Sequence, residues 1–134
     1  MHIRTARPED RPAVRRLAES LRLDYPAMEG DAFWVAEEEG RILGTCGLMR
    51  RPDCLELYAL GVAEEARGRG IGGDLVRAVL AAVPGDIHLA TVIPLFFEKQ
   101  GFARTGVYPK SMRKGPEWCE GCRVELCTVM VRKA

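Results

Sequence analysis

Apolar and polar residues alternate from the second position, and HIRTAR (2–7) has the period of two that predicts a short strand. The period then lengthens. Ala13, Val14, Leu17, Ala18 and Leu21 fall at helical spacing, behind Pro8, Glu9 and Asp10, three residues suited to a first helical turn. Pro26 and Gly30 break the pattern in LDYPAMEGD (23–31), which is expected to be a loop or a short irregular helix. Three strands are expected next: FWVAEE (33–38), RILGTCGLMR (41–50) and CLELYALGV (54–62). Glu39-Gly40 signals a hairpin turn between the first two, and Arg51-Pro52-Asp53 a turn before the third. From Ile71 onward Leu75, Val76, Val79, Leu80 and Val83 make one helix face, which Pro84-Gly85 ends. DIHLATV (86–92) is expected to be a strand and PLFFEKQGF (94–102) a short helix closed by Gly101. KSMRKGPEWCEGC (110–122) has no period and is expected to be a loop, and RVELCTVMV (123–131) to be the last strand.

The resulting order is β, α, α, β, β, β, α, β, α, β. It predicts an α/β fold with a mostly antiparallel first half and a strand–helix–strand unit at the centre. Length fits one domain over residues 1–134, with 47% apolar residues for its core. The net charge of +1 gives no global field of the kind that marks a nucleic-acid or membrane-surface protein. No apolar run approaches the roughly 20 residues of a membrane helix, and the first ten residues lack a signal peptide's apolar centre. A cytoplasmic location is therefore expected, with the five cysteines reduced.

The stretch EEARGRGIGGDL (64–75) carries the chemistry. Four glycines and two arginines stand between a strand and a helix start. At such a place unpaired N–H groups converge, the helix dipole adds positive character and glycine admits a close ligand, so a phosphate or pyrophosphate is expected. Arg67 and Arg69 can add charge-assisted bonds at the rim. A Walker loop is excluded, because Asp74 follows Gly73 where that loop needs a lysine. Residues 68–73 satisfy G-x-G-x-x-G. However, Ala63, Glu64, Glu65 and Ala66 separate them from the strand, and no acid ends the next strand at Thr91-Val92, as a dinucleotide site would require. A purely structural glycine turn is the other reading of these residues.

LGVAEEARGRGIGGDLV resembles the acetyl-coenzyme A loop of the GCN5-related N-acetyltransferases, with its signature R/Q-x-x-G-x-G/A. Arg67-Gly68-Arg69-Gly70-Ile71-Gly72 supplies it, FFEKQGF (96–102) resembles the family's second landmark, and the element order matches. The resemblance implies a twisted, mostly antiparallel sheet of six to seven strands flanked by helices. It implies that backbone at Leu60, Gly61 and Val62 pairs with the pantetheine arm, and that the amides of Arg67, Gly68, Arg69, Gly70, Ile71 and Gly72 hold the pyrophosphate. It also implies an oxyanion donor near Leu60. The reaction is then attack of a neutral amine on a thioester, and the amine, with a pKa of about 10, must first lose a proton. Glu56 is the candidate base, directly or through water; it lies on the third strand four residues before Leu60, so Glu56, Tyr58 and Leu60 are expected to share one face. The alternative is a solvent-facing glutamate. The family's proton-donating tyrosine is replaced by Phe97, which leaves Tyr108, His88 or water to protonate the thiolate.

Phe96-Phe97 also resembles bacterial amino-acid acetyltransferases of the N-acetylglutamate synthase type and relatives associated with arsenic resistance. The tail order Pro109, Arg113, Glu117-Trp118, Cys122 follows theirs. On that resemblance Arg113 grips a substrate carboxylate, with Lys110 and Lys114 as weaker candidates. Cys119, Cys122 and Cys127 are one ligand short of a structural zinc site, and no metal is expected. The expected function is N-acetyl transfer from acetyl-CoA to the primary amine of an amino acid or similar small molecule. The alternatives are a non-catalytic acyl-CoA sensor and a protein or peptide N-acetyltransferase. A homodimer is expected through the exposed edge of the final strand.

Overall fold

The computed structural model describes residues 1–24, 28–107, 109–112 and 128–133. Among the described residues, seven strands form one mixed sheet flanked by helices. They are β1 His2–Thr5, β2 Ala32–Glu38, β3 Arg41–Arg50, β4 Leu55–Val62, β5 Ile87–Thr91, β6 Ala103–Arg104 and β7 Thr128–Arg132, in the order β1-β2-β3-β4-β5-β7-β6. The helices are α1 Arg11–Ser20, α2 Ile71–Ala82 and α3 Pro94–Glu98. The chain divides into two compact units, Met1–Met49 with Leu57–Pro84, and Arg50–Glu56 with Gly85–Ala134.

In the first unit β1, β2 and β3 pair antiparallel, with Arg4 opposite Val35 and Val35 opposite Thr45. Glu39 and Gly40 both have positive φ, 51° and 79°, as a two-residue hairpin whose twist matches its strands requires. β3 is buried continuously from Leu43 to Met49, because helices cover both of its faces. On one side Val14 and Ala18 of α1 pack with Met28, Phe33, Val35 and Ala59. On the other side a Cβ added at Gly44 would meet Leu75 and Ile71 of α2 at 3.0 and 3.1 Å. The one polar group sealed within β3, the Thr45 hydroxyl, donates to the Ala59 carbonyl at 3.0 Å.

In the second unit β5 and β7 pair antiparallel from Ile87–Arg132 to Thr91–Thr128. The short helix α3 ends in a Schellman turn: Phe102 N–H bonds Phe97 O at 3.1 Å and Gly101 N–H bonds Glu98 O at 3.2 Å, with Gly101 at φ 96°. The apolar contact that accompanies such turns is present, with the Phe97 and Phe102 rings edge-on at 5.8 Å.

Two expectations are corrected. The final strand is not an edge: β6, which has no counterpart among the expected elements, pairs with it at Ala103–Val131 and Arg104–Met130. Two residues are too few to show a period, and they supply the donors and acceptors that would otherwise face outward. Nor does β4 alternate throughout. Ala59 lies at φ 51°, so Tyr58 and Ala59 both pack against the α1 cluster. A Cβ on Gly61 would then point at Leu23 and Leu21, at 2.6 and 2.7 Å. Alternation resumes one residue late, and Tyr58 and Leu60 do not share a face.

Candidate functional site

β4 delivers the chain to the glycine stretch through a single helical turn, Glu64–Ala66, whose Ala66 is buried and anchors it. Ala63 N–H bonds Leu43 O at 2.7 Å, which keeps this exit tied to β3. Gly68 and Gly70 then adopt φ of 84° and 77°, a region costly to most side chains, and nothing lies within 4 Å of where a Cβ on either would stand. Gly70 is the N-cap of α2, and no side chain caps it. The first intrahelical bond runs from Asp74 N–H to Gly70 O at 3.1 Å, so the N–H groups of Ile71, Gly72 and Gly73 precede the ladder. Uncapped amides, an open approach and the positive end of a 12-residue helix fit a pyrophosphate.

The two arginines differ. Arg67 Nε donates to Val62 O at 3.3 Å, with its guanidinium otherwise outward. Arg69 makes a two-pronged bond to Glu38 at 2.8 and 3.1 Å. That bond raises the Arg69 pKa and, with the same cause first, lowers that of Glu38. Glu38 lies 31 residues away, at the end of β2, and no sequence spacing announces the pair.

Glu56 belongs to the second unit. It is 3% exposed, so it is not a solvent-facing glutamate. Its Oε1 accepts from Arg51 Nε at 2.5 Å. Parallel pairing sets Glu56 opposite His88 of β5. Burial first, and the Lys133 ammonium second, push His88 below the usual histidine range, which leaves it neutral and poorly suited to donate a proton at pH 7. Its Nδ1 is buried without a hydrogen-bond partner among the described residues. Phe97 is buried between Phe96, at 4.9 Å, and Phe102. Tyr108, Arg113, Cys119, Cys122 and Cys127 lie outside the described residues. Among the described residues no cluster of His, Cys, Asp and Glu could hold a metal, and no helix is long and apolar enough to cross a membrane.

The fold and the uncapped glycine turn are those of an acyl-coenzyme A-binding class, and the comparisons agree. The chain belongs to the acetyltransferase (GNAT) domain family, whose model matches residues 29–104. Human N-acetyltransferase 8B is 38% identical over 109 residues, covering 70% of this chain and 48% of that protein. The chain spans a little under half the length of the curated relatives it matches. N-acetylglutamate synthase from Neisseria gonorrhoeae, complexed with coenzyme A and N-acetyl-glutamate, matches at a TM-score of 0.80 and 20% identity, over 98% of this chain and 34% of that one. Rv2747 from Mycobacterium tuberculosis, complexed with CoA and NLQ, matches at 0.76 and 20% identity, over 100% and 99%. At such identity the likeness is one of fold.

Proposed function

We propose that the chain, as one N-acetyltransferase domain, moves an acetyl group from acetyl-CoA to the primary amine of an amino acid or amino-acid-like compound. The observation that carries the reading is the uncapped N-terminus of α2, with Gly68 and Gly70 held open in front of it. Family membership and the coenzyme A bound in both structural neighbours support it. In this reading the amides from Arg67 to Gly72 hold the pyrophosphate, and β4 backbone at Leu60, Gly61 and Val62 holds the pantetheine. The positive φ of Ala59, just before Leu60, re-aims the amide that would face the oxyanion. Glu56, being buried, takes the ammonium proton through water. The thiolate leaves toward Tyr108 or water; the neutral His88 is the poorer donor. An amino-acid acceptor is supported by the N-acetyl-glutamate in one neighbour and by the tail resemblance, in which Arg113 grips a carboxylate.

The test is release of free thiol from acetyl-CoA across amino acids, polyamines and one peptide. Release with glutamate or another amino acid is expected. Release with the peptide alone would assign a protein acceptor. A chain that binds coenzyme A yet releases no thiol is the sensor, a reading favoured by the apolar burial of Phe97 where a proton donor is usual.

A further inference from the structure

Arg51 belongs to none of the motifs above, yet it contacts Glu56 directly. Its Nε donates to Glu56 Oε1 at 2.5 Å, and its Nη1 donates to the Ser111 carbonyl at 2.9 Å. The two side chains are 15% and 4% exposed. Asp53, two residues on, takes both the Ser111 N–H, at 3.2 Å, and the Ser111 hydroxyl. The turn before β4 is thus fastened to the Lys110–Met112 turn, and the guanidinium spans the two. A carboxylate closed off from water takes its orientation from the groups that bond it.

We propose that Arg51 is a positioning residue for acetyl transfer: one prong aims the Glu56 carboxylate, and the other fixes that prong against the 110–112 turn. This rests on the reading of Glu56 as base. Among the described residues, Asp53 and Cys54 on the same turn and His88 across the ladder also lie near Glu56, and Arg51 is a cation in direct contact with its carboxylate.

The experiment measures acetyl transfer by the full chain with acetyl-CoA and the best amine of the panel. In Arg51→Gln, kcat at pH 7 is expected to fall roughly tenfold or more with KM for acetyl-CoA nearly unchanged, and adding Arg51→Gln to Glu56→Gln is expected to cost little more. An unchanged kcat, or losses that multiply in the double variant, overturns the proposal. Should Arg51→Gln fail to fold, Arg51→Lys serves: an ammonium cannot bond both partners in the fork's geometry, so about a threefold or larger loss of kcat is expected, and full activity overturns the proposal. A wild type that binds coenzyme A but never turns over removes the acetyltransferase reading itself. An active wild type matched by Arg51→Gln removes Arg51 alone.

Discussion

Arg69 has two anions to choose between. Its guanidinium is closed on Glu38, while the loop that carries it is open to a phosphate. Both side chains are well exposed, 44% and 37%, so solvent and salt weaken the pair. If the loop holds coenzyme A, Glu38 competes with the ligand for the same cation. Glu38→Gln is therefore expected to tighten coenzyme A binding about two- to fivefold and to steepen its salt dependence. Calorimetry at two ionic strengths measures this; weaker binding would mean that Glu38 orients Arg69 instead of diverting it. Glu56→Gln makes the complementary test on the base. It removes the proton acceptor but keeps shape, so turnover should drop most where the amine is protonated and recover at high pH. A pH–rate profile parallel to wild type would take Glu56 out of the reaction.

Among the elements, the joint at the start of α1 is held by charge. Arg4 of β1 bonds Asp10 at 2.6 and 3.1 Å and Glu37 of β2 at 2.6 Å. The bond from Arg4, then that from the Arg7 backbone, holds Asp10 down to about 2. Glu37 is lowered too, again by Arg4 first. A carboxylate depressed in the folded state stabilises it above the unfolded pKa of about 4, and that contribution fades as pH falls toward 2. Urea unfolding from pH 6 to pH 2 should show this loss, and Arg4→Met should be weaker at pH 6 and lose less on acidification. Equal slopes in the two proteins would rule the joint out. None of this was legible beforehand, because HIRTAR shows its period and not its partners. The elements themselves were largely legible. β3 runs over Arg41–Arg50 as expected, since Glu39-Gly40 and Arg51-Pro52 punctuate it at both ends. What escaped was short or irregular. β6 has two residues, and the turn of phase at Ala59 leaves no mark in a sequence that reads ELYALGV. The glycine turn was the most legible part of the candidate site, because helix-start geometry is local. The partners of Glu56 and Arg69 were not, because an ion pair between a turn or loop and a strand obeys no fixed spacing.

For the whole chain, ligand binding and stability are a single measurement. A molecule that binds only the folded state raises stability by RT ln(1 + [L]/Kd), about 2.7 kcal/mol at a hundredfold excess over Kd. For a chain of 134 residues that corresponds to a rise in Tm of roughly 5–15 °C. Gly70→Asp separates the loop's role from the fold's. No atom lies within 4 Å of the new Cβ, and aspartate is among the residues that best tolerate positive φ, so the variant should fold with only a modest loss of Tm. Its carboxylate would stand before the Ile71, Gly72 and Gly73 amides, where it blocks and repels a pyrophosphate. Thermal scans with and without coenzyme A should then show a large shift for wild type and almost none for Gly70→Asp. An equal shift in both would place the ligand elsewhere and remove the glycine turn from the site. A shift in neither, with both proteins folded, would mean that this chain, whose match spans a little under half of its curated relatives, does not bind coenzyme A alone.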